Sequence, residues 1–221
     1  MCKIEAVTVC VNYADLLSLS LRENIEFFDR YYVVTDFDDE DTYALSEEYD
    51  NVVVIRTDEF YHEGAKFAKG RGLNLAMKSV SKNCWVVSID ADILLGSDFN
   101  KFKASLDERC RKYMYCPLAR VEALSGKREN NYVNCYESAG YLQIFHSDHL
   151  TKDFCAKLPQ ASPNAAFDDL ILSQMLNGPS LVDINVYHLD EGERINWSGR
   201  ITGETGLTQK DVSQLKQFGR I

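Results

Sequence analysis

The sequence predicts an α/β fold built on a doubly wound, mostly parallel sheet. Two observations carry that prediction. Short apolar runs alternate with segments of helical periodicity through the first 92 residues, and the fourth run ends abruptly in two carboxylates. Val7 to Val11 is an expected buried strand. Ala14 to Phe28 follows with Leu17, Leu21, Ile25 and Phe28 at helical spacing. Tyr31 to Thr35 is a second strand, an acidic helix runs from about Glu40 to Tyr49, and Val52 to Arg56 is a third strand. Phe67, Gly70, Leu73, Met77 and Val80 mark one face of the next helix, which leads into the strand ending at Asp90. Successive strands joined by helices require right-handed crossovers and hence parallel pairing.

The second half is less regular. Met114 to Leu118 and Tyr141 to Phe145 are expected strands, Phe167 to Leu176 a helix and Val182 to Leu189 a strand. Lys210 to Phe218 is a terminal helix, opened by Thr208 and Asp211 at capping-box spacing. With no repeat, low-complexity tract or Pro-rich linker, residues 1–221 are expected to form a single domain. Its nucleotide-binding half spans 1–100 and its acceptor-side half, with the closing segment, 101–221.

Composition narrows the function. An apolar content of 45% supplies a proper core. The formal net charge of −10 argues against a broad basic surface for nucleic-acid backbone. The acids of 36–41 and 47–50 are expected in solvated loops and helix faces. Seven cysteines without a C-x-x-C pair point to scattered thiols in a reducing compartment rather than to zinc. No apolar run reaches the length of about 18 residues that a membrane helix needs. A cytoplasmic location, in a bacterium or a phage-infected host, is the expectation.

The chemistry centres on Trp85-Val86-Val87-Ser88-Ile89-Asp90-Ala91-Asp92. Burying two acids is costly unless something pairs with them, so Asp90 and Asp92 are expected where the strand leaves the sheet, facing a hard divalent cation. Ligands of open α/β sheets bind at the carboxyl ends of the strands, where Asn12, Thr35, Asp36, Asp90 and Asp92 would converge. The alternative for an Asp-x-Asp pair is an acidic turn.

The Asp90-Ala91-Asp92 strand end, preceded by Lys69-Gly70-Arg71-Gly72-Leu73-Asn74, resembles the GT-A glycosyltransferases, particularly small family-2-like enzymes of bacteria and bacteriophages. Val9-Cys10-Val11-Asn12-Tyr13, Val34-Thr35-Asp36, Tyr187-His188-Leu189 and Asn196-Trp197-Ser198-Gly199-Arg200 are similar too. The second strand departs from the pattern, with Thr35-Asp36-Phe37-Asp38 in place of the usual Asp-Asp-Gly-Ser run. The resemblance implies a GT-A-like sheet with an irregular acceptor side, a Mn²⁺ or Mg²⁺ cofactor held by Asp92, Asp90 and His188, and a nucleotide-sugar donor.

It also implies individual roles. Asn12 and Tyr13 would touch the nucleoside, although Tyr13 also suits a staple before the first helix. Thr35 and Asp36 would reach the base or ribose, or Asp36 would be a turn residue. Lys69 would neutralise the diphosphate, in competition with Lys66 and Arg71. Asn74 would contact the donor or make a core hydrogen bond. His188 would complete the metal shell or serve as a structural histidine. Asp169 or Asp168 would be the general base of an inverting transfer, or cap its helix. Gly140 and Gln143 would line the acceptor wall, and Trp197 and Arg200 would close over the diphosphate, with a core position the other role for Trp197.

The expected activity is therefore metal-dependent transfer of a sugar from a nucleotide-diphosphate sugar, a UDP-sugar first among them, to an acceptor hydroxyl. The acceptor would be a glycan, a lipid-linked sugar or a modified base of phage DNA. DNA would require Lys101, Lys103, Arg109, Arg111 and Lys112 to form one basic strip. The competing readings are a sugar-phosphate nucleotidyltransferase, which normally has a Gly-rich loop after its first strand, and a non-catalytic nucleotide-sugar-binding module.

Overall fold

The computed structural model describes residues 2–65, 67–130, 140–151 and 179–189, together with Gln209, Lys210 and Ser213. The chain opens with β1 (Ile4–Val9), α1 (Ala14–Asn24), β2 (Arg30–Asp36), α2 (Glu40–Ser46), β3 (Val52–Thr57), α3 (Lys69–Met77) and β4 (Trp85–Ile89). The alternation expected from the sequence is present, with boundaries moved by a few residues. The expected first helix ends at Asn24, and Ile25–Phe27 continue it as a 3₁₀ turn.

Next come β5 (Ile93–Leu95), α4 (Phe99–Ala104), β6 (Met114–Pro117), β7 (Ala119–Glu122), β8 (Arg128–Asn130), β9 (Leu142–His146), β10 (Pro179–Val182) and β11 (Val186–His188). Seven strands form one sheet in the order β10-β6-β9-β4-β1-β2-β3, in which β9 runs antiparallel to both neighbours. A second sheet has the order β5-β11-β7-β8. No helix of the described residues is long and apolar enough to cross a membrane.

The central strands β1 and β4 of the large sheet are buried on both faces, which is why they are largely apolar runs in the sequence. Side chains alternate between two cores. Ile4, Ala6, Tyr31, Val33, Trp85 and Val87 pack with Leu17 and Leu21 of α1 and Phe99 and Phe102 of α4. Val7, Val9, Tyr32, Val34 and Val86 pack with Leu73, Ala76 and Met77 of α3. Leu16 and Leu19, on another side of α1, pack on Leu94 and Leu189 of the small-sheet region. A helix wedged between two sheets needs apolar side chains on more than one face, which α1 has. Gly72 of α3 allows close approach, since a Cβ there would lie 2.6 Å from the ring of Phe60.

One expectation about the second half is corrected. Val182 to Leu189 is not one strand but parts of two, β10 in the large sheet and β11 in the small one. Asn185 turns the chain between them, its backbone and side-chain nitrogens both donating to Asp98 Oδ2 at 3.0 Å while its carbonyl accepts from Gly96 N. The expected helix at 167–176 lies outside the described residues. Lys210 of the expected terminal helix is helical, as is Ser213.

Candidate active site

The Asp90–Asp92 segment is held at four of its six backbone N–H and C=O groups. Asp90 N donates to the Tyr141 carbonyl at 3.0 Å, and Ile93 N donates to the Asp90 carbonyl at 3.2 Å. The hydroxyl of Ser20 in α1 donates to the Ala91 carbonyl. Leu189 N, directly after β11, donates to the Asp92 carbonyl at 2.9 Å. Asn24 at the end of α1 clamps the next residues, its Nδ2 donating to the Ile93 carbonyl and its Oδ1 accepting from Leu95 N. A segment tied to α1, β9 and β11 at once leaves its two carboxylates little freedom, and positional precision of this kind suits a reactive site.

Each carboxylate has a cationic partner from a different element. Lys69, the first residue of α3 and itself buried, donates from Nζ to Asp90 Oδ1 at 2.7 Å. His188 of β11 places Nε2 3.2 Å from Asp92 Oδ2 and Nδ1 2.7 Å from Glu122 Oε2. Burial pushes the imidazole pKa down, but hydrogen bonds to Asp92 and Glu122 and their charges outweigh it, and the pKa is pushed up to about 8. Of the competing basic residues, Arg71 is spent elsewhere, on Glu63 and the carbonyls of Glu59 and His62. Lys66 lies outside the described residues.

At the ends of β1 and β2 a different carboxylate organises the crevice. Asp39, only 4% exposed, caps α2 by accepting from Thr42 N at 3.1 Å. It also accepts from Asn12 N at 2.7 Å and from the Thr35 hydroxyl at 3.1 Å. Asn12 takes a left-handed φ of 59°, a conformation Asn tolerates better than most side chains. Within the acidic run 36–41, then, Asp39 is not a solvated residue, because three donors fixed by the fold converge on it. Thr35 is fully buried and faces Asp39, whereas Asn12 is exposed and Tyr13 and Asp36 are half-buried.

The other expected residues are more scattered. Asn74 is buried, and its Oδ1 has no hydrogen-bond partner among the described residues, so the expected core hydrogen bond through that oxygen is not made. Gln143 stands fully buried in β9 opposite Ser88, while Gly140 precedes the Tyr141 carbonyl that holds Asp90. Asp168, Asp169, Trp197 and Arg200 lie outside the described residues. Of the basic residues of 101–112, Lys103 and Arg111 do not flank the site. Lys103 donates to the Phe27 carbonyl ahead of β2, and Arg111 donates to Asn83 ahead of β4, so both sit at the opposite, amino-terminal end of the sheet.

Sequence reasoning missed Asp39 and Glu122. The Asp39-x-x-Thr42 spacing is a capping signal that could have found the first. The second has none, since it meets His188 only through the pairing of β7 with β11.

The donors fit a hard divalent cation of the kind that keeps phosphate and water ligands. Asp92 offers oxygen and His188 an imidazole whose second nitrogen is anchored by a carboxylate, the usual support for a metal-bound histidine. Among the described residues no three His, Cys, Asp or Glu side chains converge as a ready-made cage. Asp92 and His188 would leave the remaining positions of an ion to a diphosphate and water.

No family model and no curated protein matches the chain. Solved structures do. Residues 1–349 of S. aureus TarS superpose with a TM-score of 0.60 at 16% identity over 85% of this chain, which spans 60% of the TarS chain. GalNAc-T7, solved with UDP, GalNAc and Mn²⁺, gives 0.55 at 12% identity, covering 98% of this chain and 48% of its own. The 4-diphosphocytidyl-2C-methyl-D-erythritol synthase of Anaerococcus prevotii gives 0.54 at 14% identity, covering 99% and 96%. At such identities the likeness is one of fold alone, and that fold is GT-A-like, as expected from the sequence.

Proposed function

We propose that the chain is a metal-dependent glycosyltransferase that moves a sugar from a nucleoside-diphosphate carrier, UDP-sugar being the expected donor, to an acceptor hydroxyl. The observation that carries this reading is the pairing of Asp92 with His188 beside the Asp90–Lys69 ion pair, at the carboxyl end of β4. A Mn²⁺ or Mg²⁺ ion held by Asp92, His188 and Asp90 would supply a Lewis acid for the charge that builds on the departing diphosphate. GalNAc-T7, a fold neighbour, was solved with UDP and Mn²⁺, which supports that assignment.

The remaining steps belong to side chains. Lys69 brings a fixed positive charge to the place where the diphosphate enters. Asn12 and Tyr13 receive the nucleoside on a loop that Asp39 holds in shape, with Asp36 at the rim of β2. Asn74 contributes a buried amide oxygen able to accept a hydrogen bond from the donor. Asp169, or Asp168 beside it, takes the proton of the acceptor hydroxyl. The freed oxygen attacks the anomeric carbon from the face opposite the diphosphate, and the bond to the diphosphate breaks with inversion. Gly140 borders the acceptor side, and Trp197 and Arg200 close over the diphosphate. The acceptor is a glycan, a lipid-linked sugar or a modified DNA base.

The Anaerococcus synthase likeness favours a second reading, nucleotidyl transfer. Such enzymes offer backbone amides after the first strand to a triphosphate, whereas here Asn12 N already donates to Asp39. The test is UDP release from a panel of UDP-sugars with Mn²⁺. Asp92→Ala is expected to slow it by about 10²–10³-fold. Release that is unchanged in the variant sinks the metal-centred mechanism. Pyrophosphate release from a nucleoside triphosphate and a sugar phosphate favours the second reading, and donor binding without turnover favours a binding module.

A further inference from the structure

We propose that Glu122 is a positioning residue for the divalent cation: it fixes the ring of His188 so that Nε2 faces an ion shared with Asp92. The proposal rests on the metal reading above and adds a residue which that reading does not require.

The geometry begins with strand register. β7 and β11 pair in parallel with Glu122 opposite His188, which sends the two side chains to the same face of the small sheet. Glu122 Oε2 then meets His188 Nδ1 at 2.7 Å, on the side of the ring away from Asp92. With Nδ1–H donating to the carboxylate, Nε2 keeps its lone pair for a cation. Both residues are nearly inaccessible, Glu122 at 7% and His188 at 5%, so water does not compete for the bond.

Glu122 is itself aimed. Its Oε1 lies 3.1 Å from Arg120 Nε, and a terminal nitrogen of Arg120 lies 2.7 Å from Glu129 Oε2 on the neighbouring strand β8. The backbone around it is pinned as well: Glu122 N donates to the Lys127 carbonyl, Gly126 N donates to the Glu122 carbonyl, and Ala123 N donates to the His188 carbonyl. A chain of polar contacts therefore runs Glu129–Arg120–Glu122–His188–Asp92, and the imidazole is its link to the Asp90–Asp92 segment. A carboxylate needed for folding alone would not have to be directed at the outward nitrogen of this one histidine.

The experiment is a titration of the full chain with Mn²⁺ in the presence of UDP. Free Mn²⁺ is followed by electron paramagnetic resonance, and the ¹⁴N modulation of a coordinated imidazole is read from the bound ion. Wild type is expected to bind with nitrogen modulation, and Asp92→Ala to lose binding. Glu122→Gln keeps an acceptor but not the charge and should weaken Mn²⁺ by about 10-fold, with Glu122→Ala approaching 100-fold and losing the modulation. Wild type that binds no Mn²⁺ overturns the metal reading and this proposal with it. Wild type that binds, with a Glu122→Gln protein of equal affinity and unchanged modulation, overturns this proposal alone, even where Glu122→Ala fails to fold.

Discussion

Acids with cationic partners lie toward opposite ends of the adjacent strands β1 and β4. At the amino-terminal end Glu5 is fully buried and accepts from Ser81 N at 2.9 Å, from the Ser81 hydroxyl at 2.6 Å and from Lys3 Nζ at 2.7 Å. At the carboxyl end Asp90, Asp92 and Glu122 are arranged around Lys69, His188 and Arg120. Two of the three bonds to Glu5 come from a single serine fixed by the fold, one of them from its backbone. The bonds at the other end come from long or aromatic cationic side chains, which a phosphate or a metal ion can redirect. The first pattern locks a strand in place. The second, at the carboxyl end of the strands, is the arrangement that the proposed function would use for an ionic substrate.

Swapping the test between the two ends breaks or sharpens this contrast. The largest effect is expected at Lys69. Lys69→Met should lower kcat/KM for the donor by about 10²-fold or more, since it removes a preorganised charge next to the diphosphate. Lys3→Met, at the other end, should leave that constant unchanged. Equal effects from the two substitutions, read in the same UDP-release assay, would erase the distinction.

A smaller effect is expected on stability at Glu5. Glu5→Ala leaves the half-buried donors of Ser81 without their carboxylate and should cost about 1–3 kcal/mol in urea unfolding, with Mn²⁺ affinity unchanged. Burial pushes the Glu5 carboxyl up, but the hydrogen bonds from Lys3 and Ser81 outweigh it, and its pKa is lowered from 4.5. A carboxyl depressed in the folded state contributes stability that is present above its unfolded pKa and is lost as pH falls through the folded value. The acid limb of stability below pH 4.5 should therefore be steeper in wild type than in Glu5→Gln. Superimposable limbs would show that Glu5 is not the group responsible.

Much of this was legible in the sequence, for a physical reason. Parallel strands buried on both faces must be apolar throughout, so β1 to β4 announce themselves, and an acid pair closing such a run marks the ligand edge. The second half is quieter because its strands are three to five residues long and several carry charge, as in Ala119–Glu122 and Arg128–Asn130. β5 and β11 are too short to show a period, and β10 and β11 merge by eye because one apolar residue, Ile184, bridges the turn between them. The same limit governs the site. Lys69 and His188 can be singled out from their local sequence, whereas Glu122 meets its partner His188 66 positions away, and Asp39 meets Asn12 27 positions before it.

The central claim is that Asp92 and His188 hold one divalent cation against a nucleoside diphosphate. The most direct measurement is the anomalous difference map of a crystal grown with Mn²⁺ and UDP. The account predicts a single strong manganese peak within bonding distance of Asp92 Oδ2, His188 Nε2 and the UDP phosphates, with Glu122 still on Nδ1. A peak elsewhere, or UDP bound in this crevice with His188 still on Asp92 and no manganese between them, would contradict it.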